Sequence, residues 1–424
     1  MERHHDRTGQ PKAHAINPRS LEIFRQIQLD TTQLRNSGVP PEYGGKVRFV
    51  VSMVGKEHGT LPYGLQGSET LEITPEPLFN IPQPTLEDFL WSAVEHEENI
   101  DFYRGLQWED CSQVEEHIIS SNIQDRNTGE LKVIQSGYIL DCGGANSRAR
   151  EKLDIPFTSL PQYVQNEVHC LSVHFNADLT HLNPEMLWWV SSPKADGTLS
   201  TWPRTAEFYQ SNRFPRGFVV GDSAHAFPPT GGLGVNTGIA DAQNLAWKIA
   251  AWAKEAILST YGKERRPIAI ANAHQSVKNQ VKLRDLKAAL RDPPVDDTLI
   301  DWDEWKNKLD QELRANTEHF DSIGLQIGYV YGEEIPDEPC DVYLPSRKPG
   351  ARLPHAWVLK RSQKMSTLGL IYGMRFVLFT SADDSSTLNA ANSSENLPAP
   401  LISWDSLSLV RGFLFDQITT YWES

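Results

Sequence analysis

Apolar positions recur at helical spacing in several stretches and at strand spacing in others. Behind Asn17-Pro18, a cap followed by a first-turn proline, Leu21, Phe24 and Ile27 trace one face of a helix. Leu86, Phe89, Leu90 and Val94 do the same between Thr85 and His96. The run 46–54 reads as a strand, and 59–84 as loop and short strands punctuated by Gly and Pro. Val114–Ser120 and Lys132–Leu140, on either side of the Asp125–Gly129 turn, read as a β-hairpin, and Val168–Phe175 and Met186–Ser191 as further strands. Residues 1–16 are polar and carry no complete element.

The clearest passage is 216–258: a short apolar strand, Phe218–Val220, a Gly/Pro-rich loop, then a long helix from near Val235 with Leu245, Ile249, Trp252 and Ala253 facing inward. Charged, Trp-rich helices are expected over roughly 261–320. After the Pro-rich stretch 335–354 the pattern returns to strands at Met374–Thr380 and Leu407–Val410, with an exposed loop at 381–400. A domain boundary is placed at 335. No internal repeat is found.

Composition narrows the function classes. The 424 residues are 39% hydrophobic and 22% charged, as in a soluble globular protein, and no apolar run is long enough to span a bilayer. A formal net charge of −15 argues against a nucleic-acid partner. Cys111, Cys142, Cys170 and Cys340 show no CxxC spacing and read as reduced thiols of a cytoplasmic protein. His4, His5, Asp6 and His14 lack metal-ligand spacing and read as solvated surface, so no metal is expected. Asp222-Ser223-Ala224-His225 is not a nucleophile elbow, and Ser223 and His225 read as loop packing. The Trp188-Trp189 pair is equally a wall of an aromatic site or core packing on a strand.

Chemistry concentrates in Arg216–Asn236. Asp222 stands at the carboxyl end of the 218–220 strand, where open α/β sheets bind ligands. Pro228-Pro229 stiffens the turn, and Gly231, Gly232 and Gly234 let a ligand approach the backbone. The following helix offers unpaired N–H groups and a positive dipole end. From spacing alone, this is equally an ordinary strand–loop–helix junction with a capping Asp.

The passage resembles the second FAD motif of the flavin-dependent aromatic hydroxylases, in their phenol hydroxylase-like branch. The resemblance continues through Asp241–Lys248 and Tyr261–Pro267 and covers most of the chain. It implies an α/β, Rossmann-like flavoprotein monooxygenase fold with a β-sheet substrate domain and a partial thioredoxin-like C-terminal domain. Residues 1–334 would form the first unit, with substrate-domain segments near 46–82 and 164–204, and 335–424 the second. It implies FAD as cofactor, NAD(P)H as co-substrate, and hydroxylation of a small phenolic or polyketide-like aromatic substrate by O2; the sequence leaves the oligomeric state open, a homodimer being one option. By the same resemblance Asp222 binds the ribitol chain, and backbone around Leu233, Gly234, Val235 and Asn236 faces the pyrimidine edge. Gly232 belongs to the loop along the ring, and the Pro229 carbonyl faces the substrate hydroxyl. Glu2 takes the adenosine ribose and Gln83 contacts the cofactor. No side chain is assigned as acid or base.

Three departures bear on activity. No Gly-x-Gly-x-x-Gly precedes Glu2, so the fold is expected to be incomplete at its N-terminus, with weakly held FAD and uncoupled turnover. The family's Asp-Gly-Ala-x-Ser motif has Gly143 in the Asp position, within Cys142–Ser147. The interval from Ser147 to Gly221 is short for the family. The alternative these departures favour is a non-redox catalyst, a cyclase or isomerase, or an inactive binding relic on the same scaffold.

Overall fold

The computed structural model describes residues 1–159, 187–190, 204–251, 255–291, 299–335, 339–373, 377–380, 401–403 and 407–409, without 8, 10, 11 and 51, and with the isolated positions 178, 181 and 182. It is a mixed α/β fold of several small sheets among long helices. Gly217–Val219 and Ile139–Asp141 form a parallel pair whose carboxyl ends bring Asp141 beside the Val220–Gly221 turn. Phe218 and Val219 are sealed in a core with Leu153, Leu245 and Tyr261.

A second core lies under the sheet in which Lys46–Val50 pairs antiparallel with Glu57–Pro62 and parallel with Leu187–Val190. Val47, Phe49 and Leu61 pack there with Tyr63, Phe320, and Leu286 and Leu309 from the helices Thr260–Arg291 and Leu299–Ala315. A third core joins the first helix, Pro18–Gln26, to the helix Leu233–Ala251: Leu21 and Phe24 meet Phe79, Ile81 and Leu86, with Val235 and Ile239 against them.

Several sequence expectations are corrected. Residues 1–16 are not without structure: Ala15–Ile16 pairs antiparallel with Phe79–Asn80, and Glu2 bridges to Arg104. Ile27 leaves the apolar stripe and is half exposed, because the helix ends at Gln26 and Gln28 turns left-handed at φ 65°. The expected hairpin is a three-stranded meander, Leu106–Glu115, Ile118–Asp125 and Leu131–Ser136. The run Val114–Ser120 straddles the polar Glu116-His117 turn, which the flanking apolar residues disguise. The 85–96 helix begins earlier, at Gln83, and the one after the glycine loop begins at Leu233. His14 is not solvated surface; it is half-buried and its Nδ1 lies 3.2 Å from Asn80 Oδ1. The runs 168–175 and 381–400, with Trp252, Ala253 and Cys170, lie outside the described residues.

The region after 335 is tied to the first helix by charge. Arg352 Nε and Nη2 donate to the two oxygens of Glu22 at 2.9 and 2.6 Å, and both side chains are buried. Burial alone would raise the Glu22 carboxyl, but Arg352, with help from Arg19 and Thr74, holds it below its ordinary value. A carboxyl depressed in the folded state stabilises the fold above its unfolded value, about 4.5, and loses that contribution as pH falls through the folded value. Glu22→Gln should therefore cost about 3–5 kcal/mol at pH 7, leaving Arg352 buried and unpaired. It should also flatten the stability profile below pH about 4.5. Urea unfolding across pH checks both.

Candidate functional site

The loop between Phe218 and the helix Leu233–Ala251 is held open by backbone geometry. Gly221, Gly231 and Gly232 have φ of 62°, 95° and 63°, a region that disfavours side chains. Gly221 also lies against Gly238 of the helix: a Cβ on Gly238 would sit 3.3 Å from the Gly221 Cα. The Pro229 carbonyl accepts the Gly232 N–H at 3.1 Å and so closes the turn. Pro229 and the Asp222 carboxylate are exposed, in contrast to Ser223 and His225, which are fully buried.

Asn236 is where the turn is fastened. Its Oδ1 accepts from Asn17 N–H at 2.9 Å and Ser20 Oγ at 2.7 Å, and its Nδ2 donates to the carbonyls of Ala15 at 2.9 Å and Gly232 at 2.7 Å. Two donors on one side and two carbonyls on the other fix the amide's orientation. One buried side chain thus binds the glycine turn to the strand Ala15–Ile16 and the cap of the first helix. The side chain is spent on the fold, which leaves backbone as what position 236 can offer a ligand. Leu233 is core, packed with Leu325 and Cys340, and Val235 packs toward Leu21 and Phe24. Gly234 lies under Phe227, 4.0 Å from where its Cβ would be.

A second fastening went unread in the sequence. Asp241, wholly buried, takes Arg265 Nε on one oxygen at 2.7 Å, and on the other His225 Nε2 at 2.8 Å and the Gly221 N–H at 3.3 Å. Arg265 Nη2 also donates to the Thr237 carbonyl at 3.3 Å. Burial would raise the Asp241 carboxyl, but Arg265 and His225 hold it below its usual range. His225 is therefore more than loop packing. The signal was available: an acid on the apolar side of a helix, with an arginine on the next helix, implies a buried pair.

The remaining candidates are placed less centrally. Gln83 is the first residue of its helix, and its side chain is occupied by Glu87 at 2.7 Å and the Ala13 N–H at 3.2 Å. Glu2 is exposed, and its carboxylate caps the His4 N–H at 2.8 Å. Gly143, in the motif's acid position, has its N–H taken by Asp141 Oδ1 at 2.8 Å, while Asp141 Oδ2 accepts from Ser147 Oγ at 2.6 Å. The nearest acid, Asp141, is buried and spent on these local bonds.

Two small adjoining crevices open beside the turn. One is lined by Gly231, Gly232, Tyr63, His319 and Ser322, the other by Arg19, Arg265, Asn272 and Tyr329, and Asn17, Asn236 and Gln326 line both. The fit to a flavin rests on this arrangement: a Cβ-free turn, helix N–H groups beside it, and an exposed carboxylate at Asp222. Among the described residues no group of His, Cys, Asp and Glu is arranged to hold a metal ion, and no helix is long and apolar enough to cross a membrane. Asn236→Ala should strand three buried partners and one half-buried partner and cost about 3–5 kcal/mol in urea unfolding.

Comparison with known proteins gives the family and the fold. The FAD binding domain family matches residues 1–208 and 192–276. The 2,4-dichlorophenol 6-monooxygenase of Cupriavidus pinatubonensis is 27% identical over 90% of this chain and 78% of its own length. The phenol 2-monooxygenase of Pseudomonas sp. is 24% identical over 90% and 75%, respectively. The flavin-dependent monooxygenase PieE, solved with FAD and substrate, superimposes with a TM-score of 0.80 at 22% identity, covering 96% of this chain and 89% of that one, a likeness of fold. With the family pattern matching well over half of its residues, this chain belongs to the FAD binding domain family.

Proposed function

We propose that this protein is an FAD-dependent monooxygenase that hydroxylates a phenolic or polyketide-like aromatic ring with NAD(P)H and O2. The observation that carries the reading is the left-handed glycine turn at 231–232, fastened by Asn236 and opening on a crevice, in a chain of the FAD binding domain family. The names of its relatives, phenol, dichlorophenol and polyketide hydroxylases among them, favour this over a non-redox role.

Bound FAD supplies the redox chemistry, accepting hydride from NAD(P)H and activating O2. The protein's own residues bind, orient and exclude water. Asp222 offers its exposed carboxylate to the ribitol hydroxyls. The first N–H groups of the helix Leu233–Ala251 face the electron-rich ring edge. The Pro229 carbonyl, with a lone pair left after Gly232, accepts from the substrate hydroxyl. Glu2 serves the adenosine ribose, and Gln83 contacts the cofactor. In this reading residues 1–334 are the FAD-binding unit, and 335–424 a partial thioredoxin-like unit clamped by Arg352.

The test is to supply FAD, NADPH and a panel of phenols, and to measure NADPH consumed, hydroxylated product and H2O2 together. A hydroxylated product from at least one phenol is expected. NADPH oxidation that yields H2O2 alone with every phenol, or a purified protein that retains no flavin absorption after FAD is added, contradicts the reading.

A further inference from the structure

Charge and hydrogen bonding run without a break from the region after 335 to the glycine turn. Arg352 grips both oxygens of Glu22 and also donates to Tyr343 Oη at 3.0 Å and to the Ile73 carbonyl at 3.2 Å. The oxygen of Glu22 that takes Arg352 Nε lies 3.4 Å from Arg19 Nη1, one turn earlier on the same helix. Arg19 hydrogen-bonds in turn to the side chain of Tyr329. Arg265 Nη1 lies 3.5 Å from the Tyr329 hydroxyl, and Arg265 Nε carries the run to Asp241 at 2.7 Å. Asp241 takes the Gly221 N–H. Arg19, Tyr329 and Arg265 line one crevice together.

Each member constrains the next. The Tyr329 oxygen is the acceptor shared by two guanidiniums that would otherwise repel. Burial would raise its phenol, but Arg265 and Arg19 hold it below its ordinary value. The middle links, 3.4 and 3.5 Å, are longer than the end ones at 2.6 to 2.9 Å, so the middle is where the run gives way. Removing Arg352 leaves the buried Glu22 carboxylate to draw on Arg19. An Arg19 drawn onto Glu22 lets go of Tyr329, and Arg265 then loses the phenol that steadies it beside Asp241. The disturbance ends at Gly221, where the turn carrying Asp222 begins.

We propose that Arg352 is a positioning residue for the cofactor turn: through Glu22, Arg19 and Tyr329 it steadies the Arg265–Asp241 pair and so sets how tightly FAD is held. The proposal rests on the FAD reading and adds to it a dependence on the region after 335, which supplies Arg352. The coupling is reciprocal, so bound FAD steadies the Arg352 segment in return.

The test titrates FAD, well below each melting temperature, into the parent, Arg352→Met, Arg352→Lys, Arg19→Met and the double variant Arg19→Met/Arg352→Met. Val358→Ala is the control, since it opens the apolar core of the same region. Arg352→Met should bind FAD roughly 5- to 30-fold more weakly, and Arg352→Lys, which keeps the charge, should recover part of the loss. Val358→Ala should stay within about twofold of the parent. The double variant should be within about twofold of the weaker single, because both act through one run of contacts. Added FAD should also slow hydrogen exchange at the parent's Ala351, whose N–H bonds the Lys348 carbonyl, and this measurement holds even if Arg352→Met fails to fold. Equal FAD affinity in the parent and Arg352→Met, or an Ala351 amide indifferent to bound FAD, overturns the proposal and leaves the FAD reading intact. An equal loss in Val358→Ala overturns it as general loosening, and additive losses in the double variant overturn it as independent effects. A parent that binds no FAD removes the FAD reading, and the proposal with it.

Discussion

The site depends on one buried carboxylate. Asp241 has no exposure to solvent, and a charge so placed is tolerable only if it is paired and hydrogen-bonded. Its partners come from three different elements: Arg265 from the helix Thr260–Arg291, His225 from the strand His225–Ala226, and the Gly221 amide from the turn that carries Asp222. None of the three can shift far without leaving charge unsatisfied. Burial turns a set of ordinary contacts into a positional constraint, because the low-dielectric surroundings penalise every alternative arrangement.

Asn236, five positions earlier on the same helix, does for the other end of the loop what Asp241 does for its beginning. Between them the helix Leu233–Ala251 fixes both Gly221 and Gly232, and the turn between them, with Pro229 exposed, is left to face a ligand. The first helix is drawn into the same frame through Asn17 and Ser20, and Glu22 on that helix carries the tie to Arg352. Recognition surfaces in the turn are thus backbone, and the side chains nearest to it serve mainly as scaffolding. This division suits a cofactor that brings its own reactivity and asks the protein for position.

Much of this was legible in the sequence, and for physical reasons. The strand–glycine loop–helix passage announces itself because glycines at positive φ and a double proline are hard to place elsewhere, and the resemblance it carries led to the flavoprotein fold. The helix behind Asn17-Pro18 was legible from its cap, and its end was not, since Ile27 is apolar and only the turn at Gln28 removes it from the core. The meander was misread because Val114 is exposed on a strand while looking like core. Asn236 was picked out as a cofactor residue from its motif alone; three of its four hydrogen bonds depend on residues some 220 positions away. His319 and Tyr63 went unnoticed because nothing local marks them. Their place in the crevice lining comes from the packing of the helix Thr317–Phe320 against the glycine turn, which no periodicity reveals.

The account stands or falls on whether the buried charge holds the turn for the cofactor. Asp241→Asn keeps the volume and removes the charge, so its thermal unfolding and its FAD titration, the latter well below the melting temperature, separate folding from positioning. The account predicts a variant destabilised by about 3–5 kcal/mol that, while still folded, binds FAD at least tenfold more weakly than the parent. A folded Asp241→Asn with the parent's FAD affinity would contradict it.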